Sequence, residues 1–145
     1  MEVEWLILAD AAQVVGNKLY LLGGGWDRLM VNSGFPVNQS IGIAVSFRVP
    51  WNETNEQHSF EVEVASEDGA TIQKVGGGLE VGRPAGIPPG QEQRVQVAAN
   101  AVLRLNSPGT YVIIARVDGT EGRRIAFNVV PGALLPRNQG GRQQG

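Results

Sequence analysis

His58 is the only histidine of this chain, and it closes a polar and aromatic segment, Val49-Pro50-Trp51-Asn52-Glu53-Thr54-Asn55-Glu56-Gln57-His58. Any imidazole-based dyad or metal site must therefore be built here. One imidazole with Glu53 or Glu56 makes a poor metal site, because zinc takes three or four protein ligands. Serine catalysis would need an acidic group to orient the histidine, together with an oxyanion hole. No G-x-S-x-G elbow occurs to supply the nucleophile. The segment fits two other roles. As structure, it is a one-turn connector between sheets, capped by Asn52 or Thr54, with Asn55 bonding backbone and Trp51 covering one end of the fold. As a ligand or interaction cluster, Trp51 stacks on a sugar face while Asn52, Glu53, Asn55 and His58 supply polar groups.

A second candidate is Tyr20-Leu21-Leu22-Gly23-Gly24-Gly25-Trp26-Asp27. A phosphate-binding loop needs a lysine and a hydroxyl after its glycines, then a helix whose N-terminus faces the phosphate. Trp26, Asp27, Arg28 and Leu29 follow instead, and the pattern continues as strand. The glycines are expected to form a bulge or a crossing between sheets, with positive φ angles and Trp26 buried in the core. Gly76-Gly77-Gly78 is expected to bend its strand in the same way. Glu61 and Glu63 lie two apart on one strand face, which suits a solvated surface better than acid–base work across a cleft. Asp118-Gly119-Thr120-Glu121 lacks the ligand series of a calcium loop and reads as a hairpin turn.

These residues sit in a chain built of short strands. Ile41, Ile43, Val45, Phe47 and Val49 alternate with Gly42, Ala44, Ser46 and Arg48; Phe60, Val62 and Val64 alternate with Glu61, Glu63 and Ala65. Ile125, Phe127 and Val129 repeat the pattern. Tyr111–Val117 is apolar on both faces, as a central strand should be. The first two strands are expected near Val3–Ala9 and Lys18–Leu22, and one more, or a bent pair, over Val95–Leu105. Ser66-Glu67-Asp68-Gly69 and Val117-Asp118-Gly119 carry hairpin chemistry. Nowhere do apolar residues recur at helical spacing for three turns, and one helical turn near Asn52–Gln57 is the most the pattern allows. Gly82–Gly90, with three prolines, should run extended over the surface.

Composition narrows the function classes. A net charge of −2 offers no basic field for nucleic acid or anionic lipid. The absence of cysteine excludes disulfides, thiolate metal sites and cysteine nucleophiles. The start, M-E-V-E-W-L-I-L-A-D, is acidic where a signal peptide is basic, and no run approaches the ~20 apolar residues of a membrane helix. The expected location is the cytoplasm, which makes the sequons at Asn38 and Asn52 accidental. No cofactor is expected.

Tyr111 opens a strand after Leu105-Asn106-Ser107-Pro108-Gly109-Thr110, an arrangement like the tyrosine corner of immunoglobulin-like sandwiches. Three groups of residues also carry a resemblance: Leu8–Ala12 with Gly16–Asp27; Val49–Asn55 with His58 and Glu67–Gly69; and Gly82–Pro84 through Pro88–Gly90, Gln93-Arg94 and Pro108–Tyr111 to Val117–Gly119. The chain resembles a small family of uncharacterised bacterial proteins, a domain of unknown function common in actinobacteria and related lineages. The resemblance covers roughly residues 5 to 130. It implies one immunoglobulin-like β-sandwich and brings no activity or site residue.

The fold expected is therefore all-β: a single antiparallel immunoglobulin-like sandwich of seven to nine strands over residues 1–130. Residues 131–145 are expected to form a flexible C-terminal tail. The expected function is a non-catalytic protein-interaction or structural module, with an unknown protein partner or a homo-oligomer formed through an edge strand or the Pro84–Gly90 loop. The alternative is small-ligand or glycan binding at Trp51.

Overall fold

The computed structural model describes residues 1–132, and residues 133–145, most of the expected tail, lie outside them. Among the described residues there are nine strands and one 3-10 turn. The strands are β1 (Glu2–Val15), β2 (Lys18–Gly24), β3 (Arg28–Val31), β4 (Val37–Val49), β5 (Gln57–Ser66), β6 (Thr71–Glu80), β7 (Gln93–Leu105), β8 (Gly109–Val117) and β9 (Thr120–Pro131), with the 3-10 turn at Trp51–Glu53. They form two sheets, ordered β2-β1-β4-β7 and β3-β9-β8-β5-β6. The five-stranded sheet curls as a half-barrel. All pairings are antiparallel except β3 with β9, which run parallel. The last strand reaches Pro131, and the Gly132 N–H donates to the Val31 carbonyl.

The core forms between the inward faces. Ile41, Ile43, Val45, Phe47 and Val49 of β4 are buried, opposite Val62 and Val64 of β5, Tyr111, Ile113 and Ala115 of β8, and Phe127 and Val129 of β9. Each full burial of a side chain of this size contributes about 1.5–3 kcal/mol of transfer free energy. Strand β8 is central, between β9 and β5, which explains why its pattern is apolar throughout.

The first strand is longer than its apolar run. No turn residue occurs between Asp10 and Val15, and β1 continues until Gly16 and Asn17, both with φ of 59°, reverse it into β2. Only the first half of β1, to Ala9, pairs with β4; the second half pairs with β2 and passes over the outer face of the sheet. A Cβ placed on Gly42 would lie 2.6 Å from the Ala11 and Ala12 backbone. Asn100 of β7 fixes the crossing, accepting from the Ala12 N–H (2.9 Å) and donating to the Ala12 carbonyl (2.8 Å). Gly42, Ala44 and Ser46 are consequently buried although they alternate away from the core.

The two glycine triplets differ. Gly23 and Gly25 have positive φ (60° and 85°), and the chain crosses there from β2 in one sheet to β3 in the other. Trp26 is only half-buried, a departure from the expected core position. It packs edge-on against Phe127 with ring centroids 5.8 Å apart. Gly76–Gly78 do not bend β6, which stays in register with Glu61, Phe60 and Ser59 of β5. Their smallness serves close approach instead: a Cβ on Gly76 would sit 2.5 Å from the Phe60 carbonyl oxygen. The segment after Val81 is not extended either. It makes two turns, closed by Ile87 N–H to the Pro84 carbonyl and Gln91 N–H to the Pro88 carbonyl.

Glu61 and Glu63 do not lie on a freely solvated face. Curling of the sheet buries Glu63, 9% exposed, beside Ala65 and Ile114, and Arg116 bridges both carboxylates at 2.7 and 2.8 Å.

Candidate functional site

Pro50, extended at φ −63°, leads into the 3-10 turn Trp51–Glu53, which no side chain caps at its start. Thr54 acts at the other end, donating its hydroxyl to the Trp51 carbonyl (2.7 Å). Arg83 then binds the turn three ways. Its Nε donates to the Thr54 hydroxyl (2.6 Å), its Nη2 to the Trp51 carbonyl (2.9 Å), and its guanidinium carbon stands 3.9 Å from the centre of the Trp51 ring. One face of that indole is therefore already covered by a cation. Asn55 adopts φ 60°, a conformation asparagine tolerates, and its backbone N–H reaches the Val81 carbonyl at 2.7 Å.

His58 is the second residue of β5 and is 6% exposed. Its Nδ1 lies 2.9 Å from the Asp118 carboxylate and its Nε2 3.0 Å from the Glu53 carbonyl. Both partners only accept hydrogen bonds, so the geometry is satisfied in full by the doubly protonated imidazolium. The Asp118 bond is the main cause that holds the His58 pKa above its ordinary value, followed by the Glu53 carbonyl; burial opposes both. Asp118 is correspondingly held low, chiefly by His58 and then by the Ser59 N–H. Asp118 occupies the β8–β9 turn with φ 49° and closes a reciprocal pair with Ser59, whose N–H it accepts and whose carbonyl its own N–H reaches. The Glu56 carboxylate stands 4.0 Å from Nε2, and the Met1 amino group bonds the Glu53 side chain.

Trp51, Glu53 and His58 thus belong to one cluster. Asn52 and Asn55 are exposed at its margin and make no side-chain hydrogen bond among the described residues. Asp118, Arg83 and Met1 are members that the sequence did not announce. Asp118 is 60 positions from His58, and its Asp-Gly turn already had a sufficient local explanation.

A family model described as a family of unknown function, DUF6941, matches residues 4–130. The chain belongs to that family. Among curated proteins none matches it. The match reaches into all nine strands, and the Trp51–His58 segment, Arg83 and Asp118 of the DUF6941 domain all fall inside it.

The chemistry open to the cluster is electrostatic fastening. A histidine with both nitrogens engaged by acceptors has no lone pair free to act as a base. The sign of its pH dependence follows. A pKa raised by folding gives stability that is complete below the unfolded value, about 6.5, and is lost as pH rises through the folded value. His58→Gln should cost about 1–2 kcal/mol near pH 6, and the deficit should shrink as pH is raised past that point. Urea unfolding of both proteins from pH 5 to 9 checks this; parallel stability curves would contradict the imidazolium assignment.

Proposed function

We propose that this DUF6941 domain is a non-catalytic interaction module of the bacterial cytoplasm that engages a protein partner through the outer edge of β2. The observation that carries the reading is a difference among the sheet edges. Strand β7 is lined with Gln93, Arg94, Gln96, Asn100 and Arg104, β6 carries Gln73, Lys74 and Glu80 with three glycines, and β3 has four residues. Such polarity and brevity are how edges avoid pairing. Strand β2 lacks both. Its centre is Tyr20-Leu21-Leu22, at 54%, 38% and 70% exposure, and its only charge is Lys18 at one end. An unpaired row of amides and carbonyls beside exposed apolar side chains favours strand addition.

The immunoglobulin-like reading of the fold is supported by two features. The β4–β5–β8–β9 strands divide between the sheets with β3 parallel to the last strand, and the Tyr111 hydroxyl donates to the Ser107 carbonyl at 2.6 Å, as a tyrosine corner requires. The absence of catalysis is supported by the saturated hydrogen bonding of His58. A cytoplasmic location is supported by the cysteine-free composition, and no helix among the described residues is long and apolar enough to cross a membrane. Sugar stacking at Trp51 is disfavoured by the guanidinium over its ring.

Capture from host lysate with tagged wild-type protein and with Leu22→Lys tests the reading. Partners recovered by the wild type should be lost from the variant while both unfold at the same urea concentration. Recovery of the same set by both would sink it.

A further inference from the structure

We infer that the seam between β1 and β9 is a binding site for a short apolar peptide, about three residues long, with both termini free. The site lies apart from the β2 edge and does not depend on its docking role. It exists because two strands lose their neighbours part-way along. Strand β2 pairs with β1 only from Ala9 onward, and β3 pairs with β9 only from Asn128 onward. The first half of β1 and the part of β9 before Asn128 therefore meet along one side of the sandwich as unpaired edges. No backbone hydrogen bond joins them among the described residues.

Two contacts close the ends of the seam. The Gly25 N–H donates to the Leu8 carbonyl (2.7 Å), and the Arg123 Nη2 donates to the Glu4 carbonyl (3.0 Å). Trp5, Leu6 and Ile7 lie between them, so the window is about 13 Å long. Backbone polar groups alternate sides along a strand. Because the Leu8 carbonyl points into the seam, the Leu6 N–H and carbonyl point there too, and nothing across the seam meets them. The chemical complement of such a pair is another peptide group. The middle residue of a tripeptide running antiparallel to β1 exchanges two N–H···O bonds with Leu6. Its side chain then shares the Leu6 face and enters a cavity of about 380 Å³ walled by Leu6, Leu8, Trp26 and Ile125. Trp26 also holds the one buried side-chain nitrogen or oxygen without a hydrogen-bond partner among the described residues, its indole Nε1.

Charge sets the direction and the length. Asp27 lines the cavity at the Leu8 end, and Arg123 stands at the Glu4 end. Both are exposed, and neither forms an ion pair among the described residues. Arg123, Ile125 and Phe127 alternate onto one face of β9, and Phe127 is buried in the core between the sheets. The guanidinium and the apolar wall therefore serve the same groove. A tripeptide antiparallel to β1 sets its ammonium beside Asp27, its carboxylate beside Arg123 and its central side chain against Ile125. The opposite direction would bring like charges together at both ends. The Glu4 carboxylate does not compete for the ammonium, because Arg94 and Ser46 already engage it.

An NMR titration of the isotope-labelled full-length protein with alanyl-leucyl-alanine, both termini free, tests the inference. Binding should saturate with a dissociation constant of roughly 0.1–1 mM and should shift the Leu6 amide and Trp26 indole signals. Acetylating the amino end or amidating the carboxyl end should each weaken binding by about fivefold. An aspartate in place of the central leucine should abolish it, since a carboxylate would enter an apolar cavity. Asp27→Asn should weaken the free peptide by about fivefold and remove the penalty of acetylation. Arg123→Gln should remove the penalty of amidation in the same way. The peptide series is read on the wild-type protein, so it decides the matter even where a variant fails to fold. No saturation at roughly ten times the expected constant, or shifts confined to other strands, would overturn the inference. Equal binding of the doubly capped peptide would overturn it too, and would make the seam a site for an interior strand of a partner.

Discussion

Gly42→Val is expected to destabilise the protein by about 3 kcal/mol and to free the β1–β2 hairpin from the sheet beneath it. The cause is backbone contact. A Cβ at position 42 would lie 2.6 Å from the Ala11 carbonyl carbon and the Ala12 nitrogen, and neither is the movable end of a side chain. The hairpin must rise, and overpacking of this kind costs about 1–3 kcal/mol. Rising also pulls Ala12 away from the Asn100 amide, forfeiting two hydrogen bonds of about 1 kcal/mol each. Asn100→Ala removes the same two bonds by another route, so the double variant should cost less than the two single costs added together. Urea denaturation gives the energies, and amide exchange at Ala12 should quicken in both single variants. A Gly42→Val protein within about 0.5 kcal/mol of wild type would mean that the hairpin does not rest on β4.

That contact shows where the sequence was informative and where it was silent. Period-two alternation located β4, β5 and β9, because burial of one face is a local constraint written into every second residue, and a run apolar on both faces located the central β8. The turns at Gly16-Asn17, Asp68-Gly69 and Asp118-Gly119 were equally legible, since each needs residues that accept positive φ. Burial of the opposite face was not legible. Gly42, Ala44 and Ser46 read as the wet side of a strand, yet the hairpin lies across them. Their small size is the mark of that covering, but small residues are also common on exposed strands. Glu63 misleads for a related reason: alternation assigns it to water, and only the curl of the sheet encloses it.

The candidate cluster shows the same boundary. Trp51, Glu53 and His58 are close in sequence and were found together. Their partners are brought in by topology: Asp118 from the β8–β9 turn and Arg83 from the chain leaving β6. Asn52 and Asn55 were included because amides beside a tryptophan suit a ligand, whereas Asn55 serves through its backbone angle. The glycine triplets make the point once more. Identical residues cross between sheets at Gly23–Gly25 and admit a close neighbour at Gly76–Gly78, and only the surroundings distinguish the two uses.

Arg116→Ala should be the second large effect, about 2–4 kcal/mol at neutral pH, because it strands a buried carboxylate. Arg116 is three-quarters buried and donates to Glu61 and Glu63 together, and Glu63 is enclosed by Ala65 and Ile114. The Glu63 pKa lies below its usual range, chiefly through the Thr71 hydroxyl and then through Arg116; burial acts against both. A carboxylate whose folded pKa is depressed contributes stability above its unfolded pKa, about 4.3, and that contribution is lost as pH falls through the folded value. Without Arg116 the charge keeps the Thr71 bond but loses its counter-ion, so its pKa must rise. The deficit of the variant should therefore be greatest at pH 7 and should narrow as Glu63 takes up a proton on acidification. Adding Glu63→Gln to Arg116→Ala should restore part of the loss at pH 7, since the amide is neutral and nearly isosteric. The exposed Arg124–Glu121 pair is the internal contrast: it is bidentate and well formed, yet water screens it and its removal should leave stability nearly unchanged. Equal costs for the two arginines would show that the curl of the sheet does not shelter Glu63 from water.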